Sequence, residues 1–93
     1  MPKKLKVIFE EIRTNQTGEA LDLSRRQIGD RDTRRLAEAL RENTTLTSLN
    51  LCNNEIGKSG GEALIAMLEN NWNLLRILIA INRLGEAETE LVS

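Results

Sequence analysis

Shifted against itself by 28 residues, this sequence brings its apolar positions into register, and that period limits the folds open to it more than any other property. Leu21 falls on Leu49 and Ile77, Leu23 on Leu51 and Ile79, and Ile28 on Ile56 and Leu84; Gly29, Gly57 and Gly85 follow one place on. The later half of the unit repeats as well. Ile8, Leu36, Leu64 and Val92 make one column, Ile12, Leu40 and Leu68 the next, and Asn15, Asn43 and Asn71 the one after. Repeats of this size are stabilised chiefly by their neighbours, so the chain must stack its units along one direction.

Inside each unit the apolar period changes. Leu49-Asn50-Leu51-Cys52 alternates, as a half-buried strand does, whereas Leu36, Ala37 and Leu40, then Leu64, Ile65 and Leu68, recur at helical spacing. Leu5, Ile8, Phe9 and Ile12 form the stripe of a first helix with no strand before it. The predicted order is helix 3–14, strand 20–23, helix 31–42, strand 48–51, helix 59–70, strand 76–79 and a short tail. Strands joined through helices run parallel. Ser59 and Asp30 stand where side chains cap the N-termini of the two later helices. Leu21, Leu23, Leu49, Leu51, Ile77 and Ile79 are expected to form an inner column, with Leu36, Leu40, Leu64 and Leu68 packed behind it.

Leu46-Thr47-Ser48-Leu49-Asn50-Leu51-Cys52-Asn53-Asn54-Glu55-Ile56 fits L-x-x-L-x-L-x-x-N-x-L position by position, and resembles a leucine-rich repeat. The continuation through Gly57, Gly60, Leu64, Leu68, Asn71 and Leu74 resembles the longer ribonuclease-inhibitor-like subclass, which ribonuclease inhibitors, NOD-like receptors, tropomodulins and Ran GTPase-activating proteins share. The resemblance implies an α/β leucine-rich repeat solenoid, a short horseshoe of about three repeats with parallel strands on its concave side and helices on its convex side. On this reading residues 1–93 form one domain: 1–17 a helix completing a partial first repeat, then 18–45, 46–73 and a truncated 74–93. In the family an asparagine caps backbone groups where the strand turns. Asn54 and Asn82 occupy that place, but Arg26 occupies it in the first unit, and a guanidinium has no acceptor, so the first turn is expected to be bonded differently.

The chain has no His, so imidazole metal sites and Ser-His or Cys-His nucleophile pairs are impossible. Its one cysteine, Cys52, makes no internal disulfide, which suits a reducing, cytoplasmic compartment, and the N-terminal apolar run is too short for a signal peptide. A net charge of −1 points to neither nucleic acid nor membrane. Gly57-Lys58-Ser59 resembles the end of a phosphate-binding loop, but Cys52 stands where that loop needs another glycine, and the repeat explains both glycine and strand. The carboxylates Glu10, Glu11, Glu86, Glu88 and Glu90 read as solvated surface rather than acid–base pairs. Asn15-Gln16-Thr17 and Asn43-Thr44-Thr45 match a glycosylation sequon without a secretory signal. No catalytic residue, cofactor or metal is therefore expected.

What remains is a surface for a protein partner. By strand alternation Leu49 and Leu51 point inward, which turns Ser48, Asn50 and Cys52 outward, flanked by Ala20, Asp22 and Ser24 and by Arg76, Leu78 and Ala80. Arg25 and Asn53 follow the strands, Trp72 lies in a helix-to-strand bend, and Leu75 and Ile81 break the alternation of the last strand. The arginines of residues 25–41 read as a solvated helix face in which Arg34 pairs with Glu38, or as a basic rim for an acidic partner. Residues 76–79 are expected to leave an unpaired sheet edge through which two copies associate or the chain aggregates, unless another protein covers it. The predicted function is a non-catalytic protein-interaction module. Its alternatives are an enzyme-assisting solenoid of GTPase-activating type, or a fragment or designed repeat with no separate function.

Overall fold

A computed structural model describes residues 3–74, 76–80, 82–83 and 90–92. Its elements follow the 28-residue period: α1 (Leu5–Arg13), β1 (Ala20–Asp22), α2 (Asp30–Arg41), β2 (Ser48–Asn50), α3 (Lys58–Leu68), β3 (Arg76–Leu78) and β4 (Glu90–Val92). The first three strands are parallel, with Leu21 opposite Leu49 and Leu49 opposite Ile77. Each α helix crosses behind the sheet, α1 packing on α2 and α2 on α3. The result is the α/β leucine-rich repeat solenoid that the sequence implied.

The core lies between the layers. Leu23, Leu49, Leu51, Ile77 and Ile79 from the sheet side meet Leu36, Leu40 and Leu64 from the helices, all buried. Leu46, Leu74, Ile28, Ile56 and Met67 close it above and below. Leu21 and Leu68, expected in the same columns, are only half-buried because each sits toward an end of the stack.

Two asparagine columns join successive units. Asn54 Oδ1 accepts the N–H groups of Arg26 and Ile28 at 3.0 and 2.9 Å, while its Nδ2 donates to the carbonyls of Leu23 and Leu51, both at 3.0 Å. Asn82 repeats this one unit on, accepting from Ile56 and donating to Leu51 and Ile79, each at 2.9 Å. At the far ends of the helices, Asn43 donates to Ile12 O at 2.7 Å and Asn71 to Leu40 O at 2.8 Å. Each Asn reaches back into the preceding unit, so backbone groups freed by the turns are satisfied across the repeat boundary. Arg26 has no complete unit before it, and its guanidinium donates to Lys3 O beside α1. The first turn is differently bonded, as expected.

Three expectations are corrected. Neither Ser59 nor Asp30 caps its own helix: the N-caps of α2 and α3 are Gly29 and Gly57, without side-chain capping bonds of their own. Asp30 instead reaches forward, its Oδ1 accepting Gly57 N–H at 2.7 Å and Gly60 N–H at 2.9 Å, so it caps α3 from α2. Arg34 donates to Ser59 Oγ at 2.9 Å rather than pairing with Glu38. The sheet edge expected beyond β3 is also paired. β4 runs antiparallel to β3, with Ile77 opposite Leu91, and places Val92 in a strand rather than in the helical column of Leu64.

Candidate interaction surface

Backbone geometry at the strand ends decides what the concave face offers. Asp22 and Asn50, in equivalent registers of β1 and β2, each accept the N–H two residues on with a side-chain oxygen at 2.9 Å, from Ser24 and Cys52. These turns send the chain away from the sheet. Arg25 and Asn53 then adopt left-handed φ of 57° and 60°, a conformation in which asparagine is common and arginine is not. Asp22 is held below the usual aspartate range, chiefly by hydrogen bonds from the side chain and backbone of Ser24, with Arg25 adding attraction. It is therefore a carboxylate at neutral pH.

Around these turns the predicted contact residues fall together. Asp22, Arg25 and Arg76 are exposed, and Ser24, Ser48, Asn50, Cys52, Asn53 and Leu78 are half-buried. They span the concave face and its lower rim, acidic at β1, polar at β2, and basic with apolar character at β3. Leu75 and Ile81 lie outside the described residues. Cys52 is a free thiol.

Trp72 stands apart at the opposite end of the strands, in the bend between α3 and β3. It is 91% exposed. The bend that carries it is fixed from beneath: Asn71 donates to Leu40 O, and its Oδ1 accepts from Asn73 and Leu74 at 3.0 and 2.7 Å. Asn73 in turn donates to Leu46 O at 2.8 Å. A large aromatic is thus presented to solvent on a rigid support. Sequence alone left its exposure open because the equivalent residue one unit earlier is the small Thr44.

Other candidates lose their chemistry. The N-terminus of α3, where a bound phosphate would sit after Gly57-Lys58-Ser59, is filled by the Asp30 carboxylate. Asn43 of the second sequon is buried and bonded in the core. Glu10 pairs with Arg13, which lowers its pKa below the usual glutamate value, and Glu11 pairs with Lys3 at 2.7 Å. Among the described residues no three His, Cys, Asp or Glu side chains are grouped to hold a metal ion, and no helix is long and apolar enough to cross a membrane. A shallow groove of about 300 Å³ runs between α1 and α2, floored by Leu5, Phe9 and Ala39 and edged by charges of both signs.

Comparison with known proteins agrees with this geometry. Residues 42–65 match the family model described as Leucine Rich repeat. A comparison with curated protein sequences finds no match. Among solved structures the chain is similar to leiomodin-1 actin-binding site 2, with 19% identity and a TM-score of 0.68 over 91% of this chain and 65% of that one. It is also similar to the tropomodulin C-terminal domain of Caenorhabditis elegans, with 19% identity and a TM-score of 0.70 over 88% of this chain and 50% of that one. The chain thus spans between half and two thirds of the length of these structures.

Proposed function

We propose that this leucine-rich repeat protein is a non-catalytic protein-interaction module whose contact surface joins the concave face to Trp72. The observation that carries the reading is the 91% exposure of Trp72 on a hydrogen-bonded bend. Exposing an indole costs hydrophobic free energy, and buried Trp is among the residues that dominate binding energy at interfaces. The concave face cannot do the work alone. Three parallel strands about 4.8 Å apart span about 10 Å, which offers on the order of 100–200 Å² against roughly 800 Å² per partner in a stable complex. A partner must therefore also reach the rim residues Arg25, Asn53 and Arg83 or the Trp72 bend.

The partner is proposed to be an intracellular protein, in keeping with the single reduced cysteine. Actin is the first to test, because the leiomodin-1 structure carries an actin-binding site in its name. Trp72 is the chain's only tryptophan, so its fluorescence reports contact directly. Titration with actin monomers, and with proteins recovered by crosslinking through residue 72, is expected to shift and saturate that emission for a true partner. By isothermal titration calorimetry, which does not need the indole as reporter, Trp72→Ala and Arg76→Glu should each weaken the complex about tenfold or more while leaving the circular dichroism unchanged. A partner that binds both variants as well as the unaltered chain would overturn the proposed surface.

A further inference from the structure

The exposed flank of α3 carries charges that are wrong for its own helix. A helix is positive at its N-terminus and negative at its C-terminus, so acidic residues belong at the start and basic ones at the end. α2 obeys this, with Asp30 and Asp32 in its first turn and Arg41 in its last, and α1 ends on Arg13. α3 begins with Lys58, has no acidic residue in its first turn and no basic one in its last, and is followed by Glu69. In the repeat register Lys58 stands at the position of Asp30, and Glu69 at the position of Arg41. Both placements are reversed.

Those two residues belong to one stripe. Lys58, Glu62, Ile65 and Glu69 follow the spacing i, i+4, i+7, i+11, and all four are exposed, Ile65 by 51%. Ile65 occupies the column of Ala37, which is buried within the stack. None of Lys58, Glu62 and Glu69 forms an ion pair among the described residues. β4 pairs with the sheet edge of the same unit, while this flank of α3 is exposed.

We infer that this flank is a self-association surface, on which α3 packs antiparallel against α3 of a second copy about a two-fold axis. The spacing of the stripe, though not its residues, reads the same from both ends, so every position meets another under that symmetry. With Lys58 opposite Glu69 of the other copy, Glu62 falls opposite Ile65, and each pair occurs twice. Each Lys58 then lies at the negative end of the opposing helix and each Glu69 at its positive end, so charges that disfavour the isolated helix favour the pair. The two Ile65 side chains meet beside the axis, covered by the methylene stems of Glu62. Eleven residues make a helix only about 16 Å long, well short of a standard interface, so the dimer is weak and dependent on concentration and salt.

Sedimentation equilibrium on the full chain, from about 10 µM to about 1 mM, is expected to show the mass rising from 10.5 kDa toward two copies and stopping there. Ile65→Glu should hold it at one copy. Lys58→Glu and Glu69→Lys should each weaken association about fivefold or more, because each replaces two attractions with two repulsions. An equimolar mixture of these two variants restores both contacts and should associate as the unaltered chain does. Both also correct the helix dipole, so their melting temperatures should be equal to or above that of the parent, which separates lost association from lost folding. A monomer at every concentration, single reversals without effect, a mixture that stays monomeric, or growth past two copies would each overturn the inference. If Ile65→Glu does not fold, the charge-reversal pair decides alone.

Discussion

Asn54 occupies a position where few side chains would serve, since its amide accepts from two backbone N–H groups and donates to two buried carbonyls of neighbouring turns. Asn54→Ala leaves the N–H groups of Arg26 and Ile28 and the carbonyl of Leu23 without that partner, while Leu51 O keeps Asn82, and each unsatisfied buried group costs about 1–3 kcal/mol where water cannot reach it. A loss of at least about 2 kcal/mol in urea melts is expected, against a smaller loss for Arg26→Ala, whose guanidinium serves one carbonyl. The repeat pattern made this asparagine legible, because the turn recurs and needs the same donor and acceptor each time. It could not show what an arginine does in the same column. Asp22 supplies a second prediction. Its carboxylate is favoured in the folded chain by the hydrogen bonds of Ser24, so its folded pKa lies below its unfolded one. The resulting stability is present above the ordinary aspartate pKa and is lost as pH falls through the lowered folded value. Asp22→Asn, which mimics Asn50 in the next unit, should keep the turn and remove this acid-side dependence. NMR titration of the Asp22 carboxyl carbon checks the direction: a midpoint at or above the usual value would refute it.

Helix ends are where the structure departs from the expected elements. Period and burial place α1, α2 and α3 within one or two residues, yet the cap of α3 comes from Asp30 of the preceding helix and not from the local Ser59. The reason is geometric. A cap read from sequence is assumed to be local, whereas in a stack the preceding helix lies close enough to supply the carboxylate. Gly60 is the legible trace of that approach, since a Cβ there would lie 2.7 Å from Asp30 Oδ1 and 2.9 Å from Ile56 Cγ2. Gly60→Ala must therefore push α3 from α2, and is expected to cost more than the roughly 1 kcal/mol helix-propensity gain of replacing glycine. Asp30→Ala should destabilise by about 0.5–2 kcal/mol, and Ser59→Ala by less, because among the described residues Ser59 accepts a single hydrogen bond, from the exposed Arg34. Thermal melts reversing the order of Asp30 and Ser59 would return the cap to the local residue. Each of β1, β2 and β3 ends one residue before the apolar alternation does, because inward burial continues through Leu23, Leu51 and Ile79 after the ladder has turned away.

At the scale of the molecule, each unit is stabilised by those on either side, so Leu49→Ala or Leu51→Ala in the middle should cost about 2–5 kcal/mol and exceed the same change at the half-buried Leu21. The C-terminal end is the part that sequence pattern could not supply. A 28-residue register places residues 86–93 in a helix, but Lys58 replaces the forward-reaching Asp30 and Glu88 stands where Gly60 permits close packing. The capping and approach that hold α3 are thus not available one unit on, and Glu90–Val92 pairs with β3 instead. Antiparallel pairing of a three-residue tail has no periodic signal to read. It does have a consequence. β3 and the residue after it are apolar on both sides of the backbone, with Ile77 and Ile79 buried and Leu78 half-buried, and β4 pairs with the edge of β3. A chain ending at Thr89 lacks β4 and leaves the backbone groups of Arg76–Leu78 without that ladder, in a segment of high strand propensity and low charge. That truncated chain is expected to aggregate at concentrations where the full chain scatters no more light than its one- and two-copy forms require. Leu78→Lys, on the concave side of the strand, should restore solubility to the truncated chain without restoring its melting temperature, because a charge beside an open edge opposes stacking but rebuilds no hydrogen bonds. If the truncated chain stays as soluble as the parent, β4 is dispensable to the edge, and the protection of β3 must be sought in Arg76 and the residues after Leu78.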